Sequence, residues 1–425
     1  MKANQSDETL LDRLQRAAFD CLVRIHDVRN GLVADTTREG SPCSIAAVGF
    51  ALSAYPIGVE RGWLERDEAA RRTLLTLRFF MDSDQSGAPD STGHRGFYFH
   101  FLDMQSGKRV WLSELSLIDT AFLIAGFLTA AVYFDAENAD ETALRRLADA
   151  LYARVDWRWA QQEGGAVTHG WKPECGFLNY GWEGYSEAML LYALGLGSPM
   201  HPLSEESFRA WTVTYQWENL YGHDFLYAGP LFIHQFSHAW IDFRGIRDDF
   251  MREKRCDYFE NSRRATYVQR EYATRNPGSF AGYSADCWGL SAGEGPSAEP
   301  RLIAGRHQAF YGYAARGVPY GPDDGTLDGS ATLSSLVFAP EIVLPALRRI
   351  VARGGGESVR ASGFNPTVGE AGPNGWISEG AFGLDQGMIV LMIENYRTGL
   401  PWRLGRGNRY LRAGLRRAGF RGGWL

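Results

Sequence analysis

The 425-residue chain lacks the features that mark several broad classes of protein. Its five cysteines are scattered and show no CxxC or CxxH spacing, so we expect neither a disulfide framework nor a cysteine-based zinc site. No basic block offsets the formal net charge of −6, which argues against nucleic acid and against an anionic membrane surface as partners. The longest uncharged run, residues 120–134, is too short to insert across a bilayer.

Signals for targeting and for separate domains are also missing. The N-terminal residues, MKANQSDETLLDRLQ, contain no apolar stretch followed by a small-residue cleavage site, so we expect a cytoplasmic protein, or a periplasmic one if a leader has been trimmed. No Pro/Ser-rich linker, low-complexity segment or fixed-length repeat divides the chain. We therefore predict a single domain spanning residues 1–425, as a monomer or a weak homo-oligomer.

The chain is rich in apolar residues at helical spacing. Two-faced patterns, typical of surface helices, alternate with segments that are apolar on every side, typical of buried helices. The two-faced or charged segments are residues 8–26, 67–81, 140–155, 204–217 and 247–273, and the apolar segments are residues 44–55, 113–134, 184–196 and 229–243. After an irregular span, helical patterns return at residues 341–353, 385–397 and 407–418. This alternation predicts an all-α toroid in which outer helices surround inner helices, with long loops and a few short β-hairpins such as one through residues 95–103.

The stretch WKPECGFLNYGWEGYSE, residues 171–187, combines aromatic rings with carboxylates. A helix that began near Trp182 would place Glu183 and Glu187 on one face, and like charges that close raise the pKa of at least one carboxyl towards the range of a general acid. Aromatic rings beside acidic groups also suit a sugar, which has apolar faces and hydroxyl edges. The alternative is a solvated pair of glutamates on a surface helix.

Carboxylates within the apolar segments are a second indication of function, because a buried charge is costly unless it is paired or used. They are Glu114, Asp119, Glu187, Asp242 and Asp385. Each one alone could instead be satisfied by an arginine or by a helix end.

The segment HQFSH has the His–His spacing of some metal sites, but Gln235 stands where zinc hydrolases of the HExxH type have glutamate. We therefore expect His234 and His238 to be hydrogen-bonding groups in a pocket. No GxSxG pattern supports acyl hydrolysis, and no glycine-rich run leads into GK[ST]. These observations predict no metal and no cofactor.

Ordered sequence blocks resemble a known family. HGWKPECGF, GYSEAMLLYALGLGSPMHP, GPLFIHQFSHAWIDFRGIRDDF, DYFENSRRATYVQREYA, WGLSAGEGP, PDDGT, FAPE and GLDQGMIVLMIENYRTGLPW are similar to blocks of the bacterial glucoamylase-like domain, in order from about Arg95 to Trp402. This domain occurs in endo-β-1,2-glucanases of glycoside hydrolase family 144 and in the transglycosylase part of cyclic β-1,2-glucan synthases. The resemblance implies an (α/α)6 barrel.

The resemblance also implies roles for individual residues. Glu187 in GYSE matches the position of an essential carboxylate and becomes the candidate general acid, and Asp385 in GLDQG becomes the candidate base. Asp119 in IDT matches a third acidic position, and Glu260 in YFENS is a candidate nucleophile if the retaining mechanism of the transglycosylases applies. The chain departs from relatives at Ser186, where asparagine is common, and at Glu294, where aspartate is common.

Sugar-binding residues are predicted from the same blocks and from the excess of aromatic residues, 13% of the chain. Trp171, Trp182, Tyr185, Trp240 and Tyr258 are expected to line the sugar cleft. The complete set of predicted substrate-binding residues is Arg95, Tyr98, His100, Glu114, Trp171, Lys172, Phe177, Trp182, Tyr185, His234, Gln235, His238, Trp240, Asp242, Tyr258, Asn261, Trp288, Glu294 and Asp324.

Together these observations predict a glycoside hydrolase that cleaves linear or cyclic β-1,2-glucan, endo-acting and inverting, with Glu187 and Asp385 on opposite sides of the cleft. One alternative is a retaining transglycosylase or cyclising enzyme on the same glucan. The other is a glucan-binding protein that has lost its acid–base pair, which the presence of both carboxylates argues against.

Overall fold

The structure is a computed structural model that describes residues 5–303, 306–354, 356–368 and 375–425. Its helices are α1 (Gln5–Ile25), α2 (Ile45–Glu60), α3 (Arg66–Asp82), α4 (Leu117–Tyr133), α5 (Ala139–Arg154), α6 (Met189–Gly197), α7 (Glu205–Thr212), α8 (Asp249–Glu253), α9 (Tyr258–Arg275), α10 (Gly329–Ser334), α11 (Pro340–Gly354), α12 (Glu357–Arg360), α13 (Gly383–Arg397), α14 (Leu400–Gly407) and α15 (Arg409–Arg417). Two short 3₁₀ helices, Leu231–His234 and Phe236–Ala239, form what we call the 3₁₀ pair.

The strands are short and pair in antiparallel fashion. They are β1 (Cys43–Ser44), β2 (Gly93–His94), β3 (Phe97–Phe99), β4 (Phe101–Leu102), β5 (Leu115–Ser116), β6 (Val167–Thr168), β7 (Gly170–Lys172), β8 (Gly176–Phe177), β9 (Gly181–Trp182), β10 (Trp217–Leu220), β11 (His223–Leu226), β12 (Ala292–Gly293), β13 (Arg301–Ile303), β14 (Arg306–Gln308), β15 (Ala314–Ala315), β16 (Phe364–Asn365) and β17 (Trp376–Ile377). Five of them form one sheet in the order β2-β3-β5-β7-β8, and the others form two-stranded pairs. The prediction of a mostly helical chain with a few short hairpins is confirmed.

The helices α2, α4 and α13 form the centre of the hydrophobic core. Nearly every residue of α2 and α4 is buried, and α2 packs between α4 and α13. Gly49 of α2 and Gly126 of α4 allow the two backbones to touch, because a Cβ on Gly49 would lie 2.2 Å from the carbonyl oxygen of Phe122. An apolar sequence with glycine at the crossing point therefore produces a tightly packed inner pair.

The two-faced helices lie outside the buried ones. Helix α1 covers α13, and α15 covers α6. Helices α3 and α5 pack against each other beside α4. The predicted helices at residues 8–26, 67–81, 140–155, 341–353 and 385–397 are confirmed as α1, α3, α5, α11 and α13. Within the described residues, none of the helices has the length and apolar character needed to cross a membrane.

The start of α6 differs from the prediction. The helix begins only at Met189, because Gly184 has a φ of +73°, outside the range of a right-handed helix. Glu183 and Glu187 therefore do not share a helical face, and that prediction is wrong. Glu183 is exposed, whereas Glu187 lies in the turn that leads into the helix.

Two other apolar segments are also less helical than predicted. Helix α4 begins at Leu117, because Leu115 and Ser116 pair with β3 and β7 as a strand, so Glu114 precedes the helix. Residues 229–243 form the 3₁₀ pair instead of an α-helix, interrupted at Gln235, whose φ of −121° breaks the helical path. Asp242 lies in the irregular segment that follows.

Candidate active site

A cavity of about 590 Å³ lies where the starts of the buried elements meet. Ile118, Asp119 and Phe122 reach it from α4, Leu384 and Asp385 from α13, and others from the 3₁₀ pair and α10. The volume falls in the range of small-molecule sites in proteins.

Five carboxylates and a set of aromatic rings line this cavity. The carboxylates are Asp35, Asp119, Glu187, Asp328 and Asp385, and the rings are those of Phe101, Phe122, Phe232, Phe236, Tyr313 and Phe382. Carboxylates can donate and accept protons during bond cleavage, and aromatic faces can stack on apolar faces of a ligand. The lining thus has the groups that an acid–base reaction on a sugar requires.

Glu187 is held in place by hydrogen bonds of its backbone, and its side chain lines the cavity. The Ser237 hydroxyl donates to the carbonyl oxygen of Glu187 at 2.9 Å and accepts from the Leu190 N–H at 3.1 Å, which fixes the turn before α6. The backbone N–H of Glu187 itself donates to the carboxyl group, which lowers its pKa slightly. Burial, with a smaller contribution from the charge of Asp119, raises the pKa of Glu187 to about 7. The group is therefore partly protonated at neutral pH, as a general acid must be.

Asp385 lies in the first turn of α13, opposite the cap of α10. Burial and the nearby charges of Asp328 and Asp35 raise the pKa of Asp385 well above its usual range. Asp328 is the N-cap of α10, and its Oδ1 accepts from the Ser330 N–H, the Ser330 hydroxyl and the Ala331 N–H at 2.8, 2.7 and 3.1 Å. These bonds favour the charged form of Asp328, whose pKa burial raises only to about 6, so of the two carboxyls Asp385 holds a proton more readily.

A charged histidine connects Asp119 to Glu114. His100 Nδ1 lies 2.9 Å from Glu114 Oε1, and His100 Nε2 lies 3.5 Å from Asp119 Oδ2. Burial alone would lower the pKa of His100, but the charges of Asp119 and Glu114 outweigh burial and raise this pKa to about 9. The ligand atoms of the three residues lie within 4.8 Å of one another, and in the protonated imidazolium both ring nitrogens are donors. The three residues form an ion-pair network.

These raised pKa values predict how stability depends on pH. Glu187 has a pKa raised from 4.5 to about 7, so between these values the unfolded chain releases a proton that the folded protein keeps. Asp35, whose pKa burial raises to about 6, acts in the same direction, and the contribution of His100 is lost as the pH rises towards 9. The lowered pKa values of the buried His234 and His238 act in the opposite direction below pH 6.5, so we expect the melting temperature to fall between pH 6.5 and pH 9.

The Glu187→Gln variant provides the control for this prediction. Glutamine cannot ionise, so the variant should melt roughly 2 °C or more above the wild type at pH 7.5, the shift that about 1 kcal/mol produces in a large domain. The difference between the two proteins should shrink at pH 5. Calorimetry at both pH values checks this, and an equal difference at both would contradict the assigned pKa of Glu187.

The structure brings several of the predicted site residues together. Glu187, Asp385, Asp119, His100 and Gln235 all line the cavity, and Glu114 contacts one of them through its ion pair with His100. Gln235 also donates to the Ala331 carbonyl oxygen and the Ser335 hydroxyl, which joins the 3₁₀ pair to α10.

The five aromatic residues predicted to line the sugar cleft lie outside the cavity lining. Trp182 stacks on His169 with ring centroids 3.9 Å apart, and Trp171 stacks on His94 at 5.2 Å. Tyr185 stacks on Tyr258, and Trp240 packs between Phe50 and Phe122 of the core. The structure thus uses these rings to pack one element against another, and we propose no sugar contact for them.

Two predicted binding carboxylates are paired with arginine away from the cavity. Asp242 is fully buried and accepts from Arg244 and Arg406, and Asp324 accepts from Arg316 at 2.7 and 2.9 Å. Both carboxylates are satisfied by these ion pairs, and for Asp242 this is the alternative that the sequence had left open.

Glu260 also lies outside the cavity lining. It occupies the first turn of α9, its side chain is more than a third exposed, and it accepts from Arg264 Nε at 3.0 Å. Arg263 lies on its other side, with 3.9 Å between Arg263 Nη1 and Glu260 Oε2. Glu260 is therefore paired with arginine and does not reach the cavity lining.

The remaining predicted binding residues stabilise structure around the site. His234 and His238 are neutral, since burial lowers their pKa values to about 4 and about 3, and they contact the Ala228 carbonyl oxygen and the Ser262 hydroxyl. Seven more predicted residues lie outside the cavity lining. Arg95 is paired with Asp156, and Glu294 is paired with Arg38. Tyr98 and Trp288 are core residues, Lys172 lies in β7, Phe177 packs against Trp159, and Asn261 is bonded to the backbone of Leu226.

Sequence reasoning missed Asp35, Asp328 and Tyr313. All three lie outside the apolar segments that drew attention to the other carboxylates. Asp328 had one usable signal, because aspartate is among the residues preferred at a helix N-cap. Asp35 reaches the site through the fold, where its carbonyl oxygen accepts from the Gly383 N–H at 2.7 Å.

The helical fold and the carboxylate-lined cavity agree with the family to which the sequence is related. The family model named Glycoamylase matches residues 179–409, more than half of the chain. The chain therefore belongs to this glucoamylase-like family, and the resemblance found in the sequence is confirmed.

Three individual proteins are similar to this chain over most of its length. An exo β-1,2-glucooligosaccharide sophorohydrolase (non-reducing end) from Parabacteroides distasonis is 29% identical over 441 residues, covering 94% of this chain and 56% of the relative. The chain thus spans little more than half the length of that protein. The endo-β-1,2-glucanase from Chitinophaga pinensis, in complex with sophorotriose and glucose, superposes with a TM-score of 0.84 at 25% identity over 99% of this chain and 100% of the other. The β-1,2-glucanase from Parabacteroides distasonis gives a TM-score of 0.84 at 26% identity, over 99% of this chain and 61% of the other.

Proposed function

We propose that this protein is a glycoside hydrolase that cleaves β-1,2-glucan to β-1,2-glucooligosaccharides. The observation that carries the proposal is the carboxyl of Glu187, which lines a cavity together with four other carboxylates and has a pKa that burial raises to about 7. The names of the relatives, which act on β-1,2-glucan and its oligosaccharides, support the choice of glucan.

In the proposed reaction Glu187 is the general acid and Asp385 the general base. The Glu187 carboxyl donates its proton to the glycosidic oxygen as the bond to the anomeric carbon breaks. Asp385, ionised in the substrate complex, accepts a proton from the water that attacks this carbon. Glu187 ends as a carboxylate and Asp385 as an acid, and exchange with solvent restores both.

The distribution of charge in the cavity favours inversion. Asp119 is the carboxylate that raises the pKa of Glu187, whereas Asp328 and Asp35 raise the pKa of Asp385, so the two catalytic carboxyls have different neighbours. Inverting enzymes hold their carboxyls about 6.5–9.5 Å apart to admit a water, and retaining enzymes about 5–5.5 Å apart. We propose that Glu187 and Asp385 face each other across the cavity at the longer separation.

The network of His100, Asp119 and Glu114 has a positioning role in this proposal. The Ser116 hydroxyl and the imidazolium of His100 both contact Asp119 Oδ2 and hold its charge near Glu187. This charge opposes ionisation of Glu187 and helps to keep the acid protonated. Asp119 therefore supports the acid, and Glu114 supports Asp119 through His100.

We also propose that the fold closes into an (α/α)6 barrel and that residues 1–425 form one domain. Six buried elements, α2, α4, α6, the 3₁₀ pair, α10 and α13, follow one another along the chain, and α13 packs on both α10 and α2. The hydrogen bonds of Ser237 and Gln235 join the 3₁₀ pair to the start of α6 and to α10. These contacts support an inner ring with the cavity at one end.

The retaining alternative has less support. Glu260, its candidate nucleophile, is paired with arginine outside the cavity lining. Glu260→Gln should therefore retain most hydrolytic activity, whereas a transglycosylase that used this carboxylate would lose its activity.

Incubation with linear and cyclic β-1,2-glucan, followed by chromatography of the products, tests the proposed function. We expect the linear glucan to be degraded to a ladder of β-1,2-glucooligosaccharides, the pattern of an endo-acting hydrolase. Release of sophorose alone would indicate an exo-acting enzyme instead of an endo-acting one. Cyclic or elongated products would favour the transglycosylase. No change in either glucan would contradict the proposal.

A further inference from the structure

An exposed pair of apolar residues projects from the loop between β4 and β5. The side chains of Trp111 and Leu112 are each 68% exposed, and their φ angles are +58° and +49°. This left-handed conformation is unfavourable for residues that carry a Cβ, and two in succession are unusual outside functional sites. Without a ligand to cover the indole, its exposure to water costs free energy, and the left-handed backbone conformation adds to that cost.

The loop is firmly held, so the exposure of Trp111 is part of the fold. Arg109 is buried and donates to the Ser113 carbonyl oxygen and to both carboxylate oxygens of Glu174. Its guanidinium also lies over the ring of Phe99, 4.6 Å from the ring centroid. The backbone N–H of Val110 donates to the Phe101 carbonyl oxygen at 3.1 Å. These contacts hold the residues on either side of Trp111 and Leu112.

A row of rings connects Trp111 to the cavity. The Trp111 ring centroid lies 5.0 Å from that of Phe101, and Phe101 stacks on His100 with centroids 4.0 Å apart and planes 11° from parallel. Phe101 and His100 both line the cavity. The indole therefore continues the cavity wall outwards, on the side of Asp119 and its ion pair with His100.

We propose that Trp111, flanked by Leu112, is a platform on which a glucosyl residue of a long β-1,2-glucan chain stacks outside the cavity. The proposal rests on the proposed function and adds a binding subsite to it. The apolar face of a pyranose ring matches the indole face, and the hydroxyl edge remains in water. A rigidly held ring loses little conformational entropy when it binds, which favours affinity. Because the ring lies outside the cavity, we expect long chains to gain from this contact and short ones not to.

The test compares a long glucan with a trisaccharide in four proteins. They are the wild type, Trp111→Ala, Trp111→Tyr and the control Tyr180→Ala, which removes an aromatic residue that is 72% exposed and whose ring partner, His169, does not line the cavity. For Trp111→Ala we expect the ratio of kcat/KM on the long glucan to kcat/KM on the trisaccharide to fall about fivefold to tenfold, through KM. Trp111→Tyr should recover most of the loss, and Tyr180→Ala should leave the ratio at the wild-type value.

A binding measurement separates failure of this inference from failure of the proposed function. Calorimetry in the Glu187→Gln background measures affinity for the long glucan without turnover, and Trp111→Ala should weaken it by a similar factor. Weaker binding in Trp111→Ala, together with a wild type that cleaves no glucan, would uphold the platform and overturn the hydrolase. An unchanged ratio with unchanged affinity would overturn the platform. A concentration-dependent dimer that Trp111→Ala abolishes, with no change in the ratio, would assign the surface to a second copy of the chain and equally overturn it.

Discussion

Glu187→Gln should lower kcat on β-1,2-glucan by about a hundredfold or more, the usual scale for loss of a general acid. The amide has the shape of the protonated carboxyl but no proton to give to the leaving oxygen. The Glu187 carboxyl accepts a hydrogen bond from its own backbone N–H, and the amide oxygen of glutamine can accept the same bond. We therefore expect glucan affinity to remain close to that of the wild type, as measured by calorimetry.

A substrate with an activated leaving group shows whether the lost group is the acid. A dinitrophenyl β-sophoroside expels a stable phenolate that needs no proton, so Glu187→Gln should cleave it far better, relative to the wild type, than it cleaves glucan. Equal losses on both substrates would argue against the acid assignment. Near wild-type activity on glucan would remove Glu187 from the mechanism.

Asp385→Asn should also lower kcat by about a hundredfold or more, and the dinitrophenyl substrate should not relieve the loss. The base acts on the attacking water, and this step does not depend on the leaving group. The substitution also removes a carboxyl whose pKa the neighbouring Asp328 raises, so the variant should fold and should be at least as stable as the wild type at neutral pH.

The contrast between the two variants is the informative result. If the activated substrate restored activity to Asp385→Asn but not to Glu187→Gln, Asp385 would be the acid and Glu187 the base. Activity in Asp385→Asn comparable to the wild type would instead point to another carboxylate of the cavity as the base, with Asp35 and Asp328 as the groups to test.

Helix positions and part of the site could be predicted because both depend on local chemistry. A two-faced pattern such as that of α1 requires one exposed side, and a pattern apolar on every side, as in α4, requires burial. Within such segments a carboxylate is conspicuous, which singled out Asp119, Glu187 and Asp385. Their convergence at one cavity follows from the position of each near the start of a buried element.

The rest depends on contacts between distant parts of the chain. Helix α4 starts late because β5 pairs with β3 and β7, and neither partner is visible in the local pattern around Glu114. Asp35 reaches the cavity because the backbone beside α13 holds its carbonyl oxygen. The rings of Trp171 and Trp182 stack on His94 and His169, partners that the local sequence does not reveal. Periodicity carries no information on such pairings.

The configuration of the first product released from β-1,2-glucan tests the central claim most directly. In an inverting reaction water attacks opposite the leaving group, so a β-linked chain yields the α-anomer. Proton NMR or optical rotation during the first minutes of hydrolysis, before mutarotation, distinguishes the anomers. The acid–base pair of Glu187 and Asp385 predicts initial release of the α-anomer, and initial release of the β-anomer would contradict it.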